Sequence, residues 1–159
     1  SDESIGDGIR LHMQGAMHLF KATIPQMQER GFGRVIAVTS IAVRQPLAAL
    51  GISNGIRAGL HGFLKTLALE AGHSGVTINA LLPGYTVTDR LRSLARSKAE
   101  QSGGTEEEAL AALTKDVPAG RLGQPHEFGA AVAFLASERA SYINGVSLQV
   151  DGGFCRGLL

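Results

Sequence analysis

Residues 34–40 read RVIAVTS, a short run that is β-branched and apolar on consecutive positions and closes on two hydroxyls. A half-exposed strand alternates apolar with polar, whereas a strand covered on both faces reads as an unbroken apolar run, so this stretch predicts a buried strand. Upstream, Ile9, Met13, Ala16, Met17, Phe20, Ile24 and Met27 fall at helical spacing with one buried stripe, and Gly31 and Gly33 stop that helix. Downstream, the segment from about Pro46 to Ala71 returns to the helical period through Ile52, Ile56, Leu60, Phe63, Leu64 and Leu67, and Gly72 and Gly75 end it. VTINALL (76–82) predicts a second buried strand, closed by Pro83-Gly84, and VSLQV (146–150) a third, turned out by DGGF.

Between the second and third strands the chain is more polar. Arg90, Arg92, Arg96 and Lys98 make one basic run, Thr105 and Glu108 the sequence of a capping box, and Pro125 the first turn of a further helix, FGAAVAFLAS. Strands alternating with helices predict an α/β fold with a parallel sheet wrapped on both faces. Ligands of such sheets bind outside the carboxyl ends of the strands. Those ends are Thr39-Ser40, Leu82-Pro83-Gly84 and Val150-Asp151. Three strands make a narrow sheet, so an open apolar edge is expected to need a further strand or a partner.

The 159 residues suit one domain, and 44% apolar content places the chain with globular proteins. A net charge of +1 offers no bulk field for nucleic acid or an anionic membrane. No apolar run approaches the roughly 18 residues that span a bilayer. A single cysteine, Cys155, excludes an intrachain disulfide and fits a reducing compartment, so a soluble cytoplasmic protein is expected. His18, His61, His73 and His126 show no metal-ligand grouping, and no metal site is expected.

Four blocks carry a resemblance: PQMQERGFGRVIAVTS (25–40), LKTLALEAGHSGVTINALLPGYTVT (64–88), AGRLGQPHEFGAAVAFLAS (119–137) and YINGVSLQVDGGF (142–154). In order and spacing they resemble the C-terminal portion of the short-chain dehydrogenase/reductase family. The resemblance implies a Rossmann-type, doubly wound parallel sheet that binds NAD or NADP, with a Ser, Tyr, Lys set, usually with an Asn, running hydride transfer. It also implies a lid-like segment over about 88–117 within a single domain. The family's phosphate-binding Gly-rich turn follows its first strand. Here GFGRVI is a G-x-G that precedes a strand, so the first half of the usual fold is expected to lie outside this sequence.

Carried over position by position, Ser40 matches the family's serine, with an implied hydrogen bond to the substrate oxygen; the plain alternative is a loop cap. Ser53 falls in the tyrosine slot and Arg57 in the lysine slot, i and i+4 on one helix face. A phenol with a pKa near 10 is lowered towards neutrality by a neighbouring cation; a serine hydroxyl is far less acidic and ends several ångströms short. Ser53 is therefore not the usual acid/base, although a water held on it could bridge the gap. Arg57 keeps the positive charge and can donate to ribose hydroxyls, or it is a surface helix arginine. Asn54 belongs to the helix start. His12 matches the asparagine position and could relay a proton, with a structural histidine as the alternative. Pro83, Gly84, Thr86 and Thr88 match the loop over the nicotinamide, and Tyr85 is a possible but packing-prone phenol.

Two functions follow from the resemblance. One is an NAD(P)-dependent oxidoreductase interconverting a small-molecule carbonyl and an alcohol, atypical in its Ser and Arg. The other is a non-catalytic dehydrogenase-like subunit or scaffold. Either is expected to form a homodimer or homotetramer through helices at about 8–30 and 47–72.

Overall fold

The computed structural model describes residues 2–158. Helix α1 (Asp2–Ile9), a π-helical turn (Arg10–Gln14) and α2 (Gly15–Glu29) form one continuous helical run. Strand β1 (Gly33–Val38) leads through a 3-10 turn (Ile41–Val43) to α3 (Gly51–Ala71). Then come β2 (Val76–Pro83), α4 (Asp89–Ser102), α5 (Glu106–Thr114), α6 (Pro125–Ala136) and β3 (Ser147–Val150). The sheet is parallel in the order β1-β2-β3, with Gly33 opposite Val76 and Ala80 opposite Ser147.

β2 lies between both neighbours, and every residue from Val76 to Leu82 is buried. Its two faces feed two cores. Val76, Ile78, Ala80 and Leu82 pack with Val35 against Phe20 and Ile24 of α2 and Leu60, Leu64 and Ala68 of α3. Leu81 packs on the opposite face with Leu135 of α6 and Ala140, joined by Ile36 and Val150. Each fully buried leucine is worth about 1.5–3 kcal/mol of transfer free energy. This is why consecutive positions of the strand are apolar: alternate residues serve alternate layers.

Two buried amides supplement the short β2–β3 ladder. Asn79 Nδ2 donates to Ile143 O at 2.8 Å, and its Oδ1 accepts from Val146 N at 3.1 Å. Asn144 Nδ2 donates to Ala68 O and its Oδ1 accepts from Ile78 N, both at 2.8 Å. The 143–146 segment is thereby sewn to β2 and α3 before β3 begins.

Several sequence expectations need correction. The first helix begins at Asp2, and Ile9, assigned to its buried stripe, is exposed. The helix expected from about Pro46 starts at Gly51, because the preceding loop turns through Ala49 at φ 63°. Ile52, in the first turn of α3 and assigned to its buried stripe, is exposed. Val38, the last residue of β1, is 57% exposed, so the strand's end is covered on one side only. The capping box at Thr105 and Glu108 forms as predicted, and Pro125 opens α6. The outer edges of β1 and β3 have no strand partner among the described residues. No helix among them is long and apolar enough to cross a membrane.

Candidate active site

The carboxyl ends of all three strands lie along one edge of the sheet, as parallel pairing requires. β1 hands over to Thr39, whose N–H still donates to Leu81 O at 2.9 Å, and then to Ser40. Ser40 caps the 3-10 turn, its Oγ accepting from Ala42 N at 3.1 Å, and its hydroxyl hydrogen has no acceptor among the described residues. The loop-cap role is thus observed, and because the cap uses a lone pair it does not consume the hydroxyl donor.

One helical turn apart on α3, Arg57 Nε donates to Ser53 Oγ at 3.1 Å. Arg57 Nη1 also donates to Thr39 O at 3.3 Å, which pins the guanidinium against the end of β1. Burial lowers the Arg57 pKa, yet arginine remains charged at any relevant pH. Ser53 accepts from Arg57, and its own O–H has no acceptor among the described residues.

His12 sits in the π-helical turn, the kind of helix irregularity frequent at functional sites. Its pKa is lowered, first by burial and then by the positive charge of Arg57. The imidazole is therefore neutral at pH 7 and has one nitrogen able to accept a proton. The structure thus brings Ser40, Ser53, Arg57 and His12 to the same end of β1.

Pro83 ends β2, and Gly84 N donates to Val150 O at 3.0 Å. A Cβ on Gly84 would stand 2.6 Å from Asp151 Cβ and 2.7 Å from its Cα, so only glycine allows the two strand ends to approach. The next residues are held by a bridge between Thr86 and Gly123, with Val87 N to Gly123 O and Gly123 N to Tyr85 O, both at 2.9 Å. Thr88 caps α4, its Oγ1 accepting from Leu91 N at 3.3 Å. The Pro83–Thr88 loop is thus fixed at the ends of β2 and β3, a second group beside the first.

Tyr85 packs edge-on against Phe154 with ring centroids 4.9 Å apart. Burial raises the pKa of its phenol, with the Asp116 charge adding to it, which moves it further from acid/base work near neutrality. GFG serves packing: Gly31 takes a left-handed φ of 67° after α2, and a Cβ on Gly33 would meet Met27 at 2.5 Å.

One polar element escaped the sequence reading. His61 Nε2 is 2.8 Å from Thr39 Oγ1, and its Nδ1 is 2.9 Å from Ser147 Oγ, so the ring bridges α3, the residue that follows β1, and β3. Its pKa is lowered, first by burial and then by Arg44. The available signal was the spacing: Ser53, Arg57 and His61 continue one stripe at i, i+4 and i+8. Asn54 Nδ2 donates to Leu47 O at 2.9 Å, tying the preceding loop to α3, while its Oδ1 is buried without a partner among the described residues. No group of three or more His, Cys, Asp or Glu able to hold a metal occurs among them.

A parallel sheet with helices on both faces and polar side chains gathered at its carboxyl edge defines a Rossmann-type α/β protein. A family model for "Enoyl-(Acyl carrier protein) reductase" matches residues 1–155. Nodulation protein G of Azospirillum brasilense is 36% identical over 145 residues, covering 91% of this chain and 54% of that protein. The 3-oxoacyl-[acyl-carrier-protein] reductase FabG of Escherichia coli is 36% identical over 152 residues, 96% of this chain and 58% of that one. Among solved structures, L-sorbose reductase from Gluconobacter frateurii, complexed with NADPH and L-sorbose, superposes with a TM-score of 0.94 at 33% identity. That match covers 99% of this chain and 60% of the reductase. An actinorhodin polyketide ketoreductase with NADPH gives a TM-score of 0.90 at 30% identity, over 99% and 61% of the two chains. The chain belongs to the short-chain dehydrogenase/reductase family. It spans just over half the length of the relatives it matches.

Proposed function

We propose that this chain forms the substrate-facing and nicotinamide-facing part of an NAD(P)-dependent carbonyl reductase with Ser53 and Arg57 in place of the family's Tyr and Lys. The observation that carries this reading is the hydrogen-bonded cluster of Ser53, Arg57 and the Thr39 carbonyl beside Ser40. It is supported by the names of the relatives, which include two reductases solved with NADPH.

The residues present fit the nicotinamide end of such a cofactor. Arg57 has a cationic Nη2 with no partner among the described residues. The Gly84 cradle cannot accept a Cβ, and Thr86 and Thr88 lie on the loop it anchors. Arg57, Pro83, Gly84, Thr86 and Thr88 would hold the cofactor, and the residue that reads its ribose 2′ position is not among them. When bound, the nicotinamide supplies hydride to a carbonyl carbon.

The chain's own task is the oxygen. Ser40 donates its free hydroxyl hydrogen to the carbonyl oxygen and orients it. Ser53, too short to reach that oxygen as a phenol does, donates to a water that closes the gap. Arg57 stabilises negative charge as it develops on the oxygen, the kind of preorganised electrostatic effect that dominates such barriers. The alkoxide oxygen takes its proton from that water, and neutral His12 relays a proton from solvent to the hydroxide left behind. The 88–117 segment acts as the lid of this site, and the protein works in the cytoplasm as a homodimer or homotetramer.

Titration of the full-length protein with NADH and NADPH tests the reading. Absence of binding at millimolar cofactor would sink it. The Ser53→Tyr, Arg57→Lys double variant then separates a decayed site from an adapted one. Carbonyl reduction rises in the first case and falls in the second.

One observation favours the second reading, a non-catalytic subunit that assembles through its helices. Leu11, Leu19 and Leu69 are 72%, 61% and 76% exposed on the long helical runs. Sedimentation velocity combined with the same cofactor titration distinguishes a scaffold that associates without binding cofactor.

A further inference from the structure

Helix α4 carries four cations, and Glu106 at the start of α5 sorts them into two kinds. Arg96 Nε donates to Glu106 Oε2 at 2.6 Å, and Arg92 Nη1 lies 3.5 Å from Oε1. Those two charges are answered. Arg90 and Lys98 are exposed and have no acidic or hydrogen-bonding partner among the described residues. Both line a groove of about 580 Å³ between the 47–50 loop and α4.

The rest of that groove is mainly apolar, built from Leu47, Leu50, Tyr85, Leu94, Ala95 and Leu113. Leu50 and Leu94 are 47% and 48% exposed, so apolar surface stands open to water on both walls. Arg90, Leu94 and Lys98 recur at i, i+4 and i+8, which puts one leucine between two free cations over about 12 Å of helix axis. One wall runs straight into the first turn of α3, which holds Ser53, and Asn54 ties it there through Leu47 O. The other side begins at Tyr85, next to Gly84. The groove therefore opens beside both halves of the candidate active site.

We propose that this groove takes an aliphatic carbonyl compound that carries a carboxylate. The alkyl segment lies on Leu50 and Leu94, and the carboxylate meets the free cations of α4. Burial of the alkyl segment stabilises the complex in proportion to the apolar area removed from water. A neutral end group would cover Arg90 and Lys98 without answering their charge, which costs desolvation. The substrate class rests on the reductase reading of the neighbouring site; the binding preference does not.

The experiment uses the full-length protein, and two probes keep the two claims apart. Reduction of a medium-chain oxo acid is compared with that of its methyl ester, and binding of decanoate is compared with that of 1-decanol by calorimetry. The oxo acid is favoured in kcat/KM through a lower KM, by at least about threefold, the scale of a part-exposed ion pair. Decanoate binds more tightly than decanol. Arg90→Gln and Lys98→Gln each shrink both preferences, whereas Arg92→Gln, whose charge is already met by Glu106, keeps them. Equal reduction of acid and ester with equal binding overturns the proposal and leaves the reductase standing. Decanoate binding that depends on Arg90 and Lys98, without any carbonyl reduction, upholds the groove and removes the reductase. Failure of both decanoate and decanol to bind overturns the proposal, and the cofactor titration then decides the reductase separately.

Discussion

Replacing Arg57 with Met removes the hub of the candidate site while keeping a side chain of similar length. Two hydrogen bonds disappear, to Ser53 Oγ at 3.1 Å and to Thr39 O at 3.3 Å. Bonds from a charged donor contribute about 1.5–3 kcal/mol each at good geometry, and the second is long, so the gross loss is about 3–4 kcal/mol. Desolvation of the half-buried guanidinium, visible in the lowered Arg57 pKa, offsets much of this, and Met recovers stem packing. The expected net destabilisation is about 1–2 kcal/mol, read from equilibrium urea unfolding.

The more specific readout is His12, followed by NMR titration. Its pKa is lowered by burial first and by Arg57 second, so Arg57→Met raises it while leaving it below the ordinary value of 6.5. Arg57→Lys keeps the charge and so keeps His12 depressed. Carbonyl reduction under the proposed function falls by about a hundredfold in Arg57→Met, the scale of one lost electrostatic donor. Unchanged stability together with an unchanged His12 titration would refute the reasoning, because Arg57 would then be a solvated helix cation and no hub.

Asn79→Leu removes two part-buried hydrogen bonds, to Ile143 O and from Val146 N, each worth about 0.5–1.5 kcal/mol net, so chemical denaturation should show a loss of about 1–3 kcal/mol; a loss under about 0.5 kcal/mol contradicts the role given to this amide. Ala49→Gly relieves the left-handed φ of 63° and should raise stability by about 0.5–1 kcal/mol after the glycine entropy cost, unless the loop is unstrained and the midpoint falls. Both His12 and His61 have folded-state pKa values below 6.5, so the unfolded chain binds more protons as pH falls through that value. Stability is therefore full above about pH 6.5 and declines below it, and His61→Gln flattens part of that decline in urea midpoints measured from pH 7.5 to 5.

Much of the fold was legible because its signals are local. The unbroken apolar run of β2, the capping box at Thr105 and Glu108 and the Pro-Gly turn after Leu82 depend on residues within a few positions of one another. The same locality explains the misses. The helix was expected from about Pro46, but the turn at Ala49 delays α3 to Gly51, and a periodicity count has no term for backbone φ. That Ser53 and Arg57 share one helix face was also readable, since i, i+4 spacing places them there, and Arg57 Nε does donate to Ser53 Oγ.

The sequence by itself determined a parallel α/β sheet, the helix–strand order and a serine at position 53. Only the tertiary structure decided what surrounds that position. It joins Arg57 to the Thr39 carbonyl across 18 residues and His61 to Ser147 across 86, and by giving Glu106 to Arg92 and Arg96 it leaves Arg90 and Lys98 without an acidic partner among the described residues. The physical reason is that a hydrogen bond or ion pair is set by distances in space. Residues far apart in the chain acquire those distances only once the sheet and its covering helices have packed.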